Sequence, residues 1–316
     1  MKALKKTGKI LAVVLASILA LFVLVIGGLN LAKFGLYSEY YSEKTNLCKN
    51  PGLNDGFVCQ GIAVVDGEDL ILVSGYMTGG EASRVYVTTL DNQAYYVTLS
   101  SNGEAFDGHA GGIATSGDYV YIGTGSRIYT FSLDSLLSAR NGDQIDIGPG
   151  VEVNNRASFL YGDDQYLYVG SFYNDKYEKV EDHIFETAEG THYAICSKYA
   201  VGDLTTPVAV YSIRDQVQGI CFTPEGKVIM STSYSLADSY YYVYELEDAV
   251  DSGKTLDGAK VYYLDQVEET VKGPAMAEGL DLYRGEVITL TESASTKYIF
   301  GKLFFANKIV SLDIAD

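Results

Sequence analysis

Tryptophan is absent from all 316 residues. Repeats built on a Trp-Asp signature are therefore disfavoured, as are Asp-box motifs of the S-x-D-x-G-x-T-W type. Cysteine is scarce, with four residues and no C-x-x-C pair, so zinc and dithiol redox chemistry have no support. Neither a G-x-S-x-G nucleophile elbow nor a G-x-x-x-x-G-K-[ST] phosphate loop occurs. Basic residues are few: 23 Lys and Arg stand against 41 Asp and Glu, a formal charge of -18. Setting aside Lys2, Lys5, Lys6 and Lys9 leaves 19 basic residues and a net of -22. Such a surface repels phosphate backbones and excludes nucleic-acid binding; it favours cations instead. Acidic chains can be disordered, but 47% hydrophobic content and 27 tyrosines indicate a packed fold.

What is present begins with the run "ILAVVLASILALFVLVIGGL" at 10–29, whose only polar side chain is Ser17. About 20 apolar residues cross a hydrocarbon core as a helix. The four lysines before it keep the N-terminus cytoplasmic and place the rest outside. A cleaved signal peptide is the competing reading, but the run is long for an h-region and "GGLNLAKFG" is a poor cleavage site. Cys48 and Cys59 lie 11 residues apart near a Pro-Gly turn, and in an exported chain this spacing allows a disulfide. Cys196 and Cys221 fall in apolar strand-like runs and read as a second disulfide or as two buried thiols.

The rest of the chain repeats one phrase. "VCQGIAVVDGEDLILVSGY" at 58 and "VQGICFTPEGKVIMSTSY" at 217 share Gln-Gly-Ile, an acidic-Gly turn, a second apolar run and a Ser/Gly/Tyr ending. Relaxed copies begin at 109, 156 and 276. The anchor positions are Gly61, Gly112, Phe159, Gly219 and Gly279, separated by 51, 47, 60 and 60 residues. Third strands follow each copy, and "AYYVTLSS", "DQIDIGPG", "TPVAVYSI" and "AKVYYLDQV" read as fourth strands of the first four. Runs rich in Val, Ile, Tyr and Thr with period-two alternation fit half-buried strands. Four strands per repeat of roughly 50 residues specify an all-β, five-bladed (alternatively six-bladed) β-propeller behind one transmembrane helix. The last copy lacks a fourth strand, so "KFGLYSEYYS" or residues just after it are expected to close the ring. The chain divides into a basic tail 1–9, a signal-anchor 10–30, a linker 31–56 and a propeller 57–316.

The copies resemble those of NHL-repeat, YVTN-type and gluconolactonase/regucalcin-like propellers. "QGICFTPEGKVIMSTS" is similar to their "GIAxDxxGxLYVAD" rhythm, and the likeness runs from about 57 to 314. The layout also resembles membrane-anchored propellers of Gram-positive bacteria. The lack of Trp disfavours quinone-cofactor propellers. Ligands of such scaffolds meet where the inner strands begin. Alignment of the copies brings Gln60, Gln218 and Glu278 to the position before Gly, Ser158 to the same place in the third copy, and His109 and Arg156 three residues before their anchors. This set of acid, imidazole, guanidinium, hydroxyl and amides suits a polar ligand, Arg156 taking a carboxylate or phosphate. The resemblance implies a divalent cation on the Glu of "AEGL", here Glu278; calcium needs six to eight oxygen donors, and Asp107 and Glu292 are the further residues this chain offers. Gln, His and Arg stand where the family pattern has Asn and Asp. Two functions follow as expectations: a binding or interaction module at the cell surface, with no cofactor; or a metal-dependent hydrolase or lactonase using Glu278 and His109. A ligand-free scaffold is a third.

Overall fold

The computed structural model describes residues 2–298 and 306–314. Met1 of the basic tail, and 299–305 and 315–316 of the propeller segment, lie outside the described residues, as do the side chains of Lys2, Lys5 and Lys6.

The repeated phrase folds into five sheets around an axis. Their innermost strands are Phe57–Val64, Gly112–Ser116, Phe159–Gly162, Val217–Phe222 and Ala277–Tyr283, in blades 1 to 5. Each inner strand packs on the next, and that of blade 5 packs back on blade 1, so the ring is closed. The anchor glycines show why. A Cβ on Gly61 would lie 2.8 Å from the backbone N of Ile113, and one on Gly112 would lie 2.7 Å from that of Leu160. A Cβ on Gly219 would meet Leu280 N at 2.5 Å, and one on Gly279 would meet Ile62 N at 2.9 Å. Backbone touches backbone at the hub, where no side chain fits. Blade 3 breaks the pattern with Phe159, whose ring instead fills the space over Gly170. The seam between blades 5 and 1 is also polar, with Val64 N–H donating to Asp281 Oδ2 at 2.6 Å.

Blade 5 is completed from the N-terminal side. Lys44–Lys49 pairs antiparallel with Lys308–Leu312 as the outermost strand. "KFGLYSEYYS" itself is helical: the first helix runs Lys2–Leu36 and a short one spans Ser38–Glu43. The closing strand is the segment directly after it. The short helix is fixed to the propeller by Tyr40, buried and stacked on Tyr241 at 6.0 Å, and by Tyr37, whose hydroxyl donates to Asp238 at 2.8 Å. The first helix is apolar and of membrane-spanning length, and its Ile10–Val25 side chains are exposed.

Two expected fourth strands belong elsewhere. Within "DQIDIGPG", Gln144–Asp146 runs parallel to Ala94–Ser101 of blade 1, and blade 2 is finished by Val151–Glu152. Within "AKVYYLDQV", Ala259–Tyr263 runs parallel to Ala209–Ile213 of blade 3, and blade 4 is finished by Val267–Gly273. The reason is apolar burial at an open edge. Ile145 joins the cluster of Val97 and Leu99, and Val261 joins that of Ile195 and Val210. A sheet edge with unpaired N–H and C=O groups is thereby covered in each blade. The Cys48–Cys59 disulfide is also corrected. Both are separate buried thiols, one on the outermost strand of blade 5 and one on the innermost strand of blade 1. Cys59 Sγ is engaged by Asn50 Nδ2 at 3.0 Å instead. Cys196 and Cys221 are likewise free and buried.

Candidate functional site

Three of the five inner strands open with β-bulges. The register slips between Cys59 and Gly61 in blade 1, between Val217 and Gly219 in blade 4, and between Ala277 and Leu280 in blade 5. The residues left without a partner in the ladder are Gln60, Gln218 and the Glu278–Gly279 pair. A bulge re-aims a side chain out of the alternation, and here it turns three polar groups towards the axis. The result is one cavity of about 880 Å³ at the hub. Gln60, His109, Arg156, Ser158, Gln218 and Glu278 all line it, so the structure brings together every residue of the expected ligand set. Asp107 is exposed and outside it; Glu292 is inside.

A connected row of hydrogen bonds runs along one wall. His109 Nε2 meets Gln60 Oε1 at 2.5 Å, and Gln60 Nε2 donates to Glu292 Oε2 at 2.8 Å. Glu292 in turn bonds the carboxyl of Glu278 and the hydroxyl of Tyr298. The His109 ring stacks on Tyr76 with centroids 4.6 Å apart, and the Lys297 ammonium donates to the Tyr76 hydroxyl. Arg156 also lines the cavity; its guanidinium lies over the Tyr177 ring at 4.8 Å and makes no ion pair or hydrogen bond among the described residues. Ser158 Oγ accepts from Phe172 N at 3.1 Å, fixing the segment that carries Phe172 and Asn174 to the rim.

Burial sets the charges. Glu278 is 3% exposed, and desolvation, followed by the charge of Glu292, pushes its carboxyl well above the usual range. Burial raises Glu292 to about 7, against the opposing pull of Tyr298, Gln60 and Lys297. Two carboxyls in contact do not both ionise, so the pair holds a proton at neutral pH. His109 keeps one flank open to the mouth, yet protein surrounds most of the ring. That burial, with Lys297 nearby, lowers its pKa from 6.5, so the imidazole is neutral at pH 7.

Calcium does not suit these donors. It takes six to eight oxygens, preferably from ionised carboxylates. Here the two carboxyls share a proton and the cations Arg156 and Lys297 line the same space. Among the described residues no group of three or more His, Cys, Asp or Glu is placed to hold a metal. A second cavity of about 360 Å³ has its charges satisfied internally, Arg214 pairing with Glu189 at 2.7 Å.

Sequence reasoning left out Tyr76, Phe172, Asn174, Tyr177, Tyr234, Lys297 and Tyr298. They sit at the ends of the second strands and in the loops that follow. The signal for two of them was in the repeated phrase: its Tyr ending is Tyr76 in one copy and Tyr234 in another.

No protein-family model and no curated protein sequence matches the chain. Among solved structures, the hydrazine synthase of Kuenenia stuttgartiensis aligns at 10% identity and TM-score 0.38, over 74% of this chain and 55% of that one. This chain thus spans little more than half of that neighbour's length. The PQQ-bound aldose sugar dehydrogenase of Streptomyces coelicolor aligns at 15% identity and TM-score 0.40, over 78% and 76%. BamB from Moraxella catarrhalis aligns at 9% and 0.31, over 80% and 82%. Likenesses this distant say nothing about the ligand.

Proposed function

We propose that the chain is a membrane-anchored, extracytoplasmic β-propeller whose central cavity binds a polar ligand carrying an anionic group. The observation that carries this reading is Arg156: a guanidinium at the mouth of an 880 Å³ cavity, propped on Tyr177 and without a described anionic partner, in a protein of net charge -18. The amides of Gln218 and Asn174 and the hydroxyl of Ser158 line the same cavity and supply further hydrogen-bonding groups. Pockets of this kind, part aromatic with a few convergent polar groups, are the usual small-molecule sites. The apolar N-terminal helix and the lysines before it support anchoring through 10–30 with the propeller outside.

The test is calorimetric titration of the full chain in detergent with benzoate and with inorganic phosphate. One of the two should bind. Arg156→Ala should weaken that binding about tenfold to a hundredfold, the loss expected for a charge-assisted hydrogen bond. The melting curve should change little, because Arg156 is exposed and its side chain makes no hydrogen bond or ion pair among the described residues, only the contact with the Tyr177 ring. Equal binding by the variant would remove Arg156 from the site.

A further inference from the structure

The Gln60 carboxamide has one possible orientation. Its Nε2 faces two acceptors, Glu292 Oε2 and the Cys59 carbonyl, each at 2.8 Å. Its Oε1 therefore faces His109, and the hydrogen-bond pattern assigns the ring proton to Nε2. A neutral imidazole protonated on Nε2 carries its lone pair on Nδ1, and Nδ1 has no hydrogen-bond partner among the described residues. On the far side of the same carboxamide stands the Glu292–Glu278 pair, two touching carboxyls that must hold a proton between them. A base and an acid thus stand one side chain apart in a cavity whose rim carries a guanidinium with no anionic partner among the described residues.

We propose that this cavity hydrolyses an ester or amide bond in an anionic molecule, with His109 Nδ1 as general base and the Glu278–Glu292 pair as general acid. The proposal rests on the anionic-ligand reading above. Arg156 holds the anionic group of the substrate. Nδ1 takes a proton from water as the water oxygen bonds to the carbonyl carbon, and the carbonyl oxygen takes the shared proton of the carboxyl pair. On collapse the bond to the leaving oxygen or nitrogen breaks, that atom takes the proton from Nδ1, and the new carboxyl group returns a proton to the pair. One water is consumed and the protein ends as it began. The lowered pKa of His109 keeps the base unprotonated at neutral pH, and burial keeps the acid protonated. The charged and titratable groups facing His109 are Tyr76 and Lys297 and, through Gln60, Glu292 with Glu278 and Tyr298 behind it.

The probe is para-carboxyphenyl acetate, whose carboxylate is too far from its carbonyl to assist. The full chain in detergent should release para-hydroxybenzoate with saturation, and neutral phenyl acetate should show a higher KM. His109→Gln and Glu278→Gln should each lower kcat by about a hundredfold or more, the usual share of acid–base catalysis. Arg156→Ala should raise KM with kcat kept. The rate should fall on the acid side as His109 protonates and on the alkaline side as the carboxyl pair loses its proton. Turnover unaltered by His109→Gln, or no turnover while benzoate or phosphate still binds, would overturn the catalytic role and leave the binding site standing. Loss of both turnover and anion binding in the wild-type chain would overturn both readings.

Discussion

Gly219→Ala should be among the most damaging single substitutions in the chain, costing about 3 kcal/mol or more. Overpacking a core costs about 1–3 kcal/mol when side chains can move aside. Here the new Cβ would run into the backbone of the neighbouring inner strand, Leu280 N at 2.5 Å and the carbonyl carbon and Cα of Gly279 at 2.8 and 2.9 Å. Nothing flexible is available to yield, so the inner strands of blades 4 and 5 must separate. For a domain of this size about 3 kcal/mol lowers the melting temperature by roughly 6–12 °C. The control is Gly117→Ala. Gly117 has open space around it but a φ of +53°, so the cost is limited to about 1–2 kcal/mol of left-handed strain. Thermal unfolding followed by circular dichroism ranks the two. A smaller loss for Gly219→Ala than for Gly117→Ala would mean that the hub is not packed backbone to backbone.

Replacing 44–49 with six Gly and Ser residues should cost still more. The segment pairs with Lys308–Leu312 along its length, buries Cys48 and half-buries Leu47. Net hydrogen bonds at about 1 kcal/mol each, with roughly 2–4 kcal/mol for the apolar side chains, give a loss on the order of 5 kcal/mol or more. That is comparable to the whole stability of an ordinary domain, about 5–15 kcal/mol. The variant should melt at least 10 °C lower or lose cooperativity altogether, and hydrogen exchange at 308–312 should accelerate first. An unchanged melting curve would show that the ring closes without this strand.

The blades were legible because period-two apolar runs and turn glycines are local signals, and an inner strand needs the same letters wherever it recurs. The ring of Gln60, Gln218, Glu278, His109, Arg156 and Ser158 followed from aligning the copies, since radial symmetry turns equal positions into neighbours. Edge strands were not legible. Gln144–Asp146 and Ala259–Tyr263 satisfy the strand pattern equally well in either of two blades, and only the apolar pockets waiting for Ile145 and Val261 decide between them. The hydrogen-bonded row through Gln60 was hidden for a similar reason. It depends on bulges that slip the register by a residue or two, on Glu292 just past the second strand of the last copy, and on Lys297 and Tyr298 from the loop beyond that copy. Cys48 and Cys59 misled because proximity in sequence near a turn says nothing about two strands on opposite margins of adjoining blades.

The most direct test of the account is the titration of His109 by NMR, with the resonance among the chain's three histidines assigned through His109→Gln. Burial against Tyr76 and the charge of Lys297 should hold its pKa below 6.5. The unfolded chain then binds a proton that the folded one refuses, so this residue lowers stability as pH falls below 6.5. Lys297→Met should move the pKa upward, although the two residues are 188 positions apart. A pKa at or above 6.5 that ignores Lys297→Met would place blades 2 and 5 on separate sites and dissolve the shared cavity.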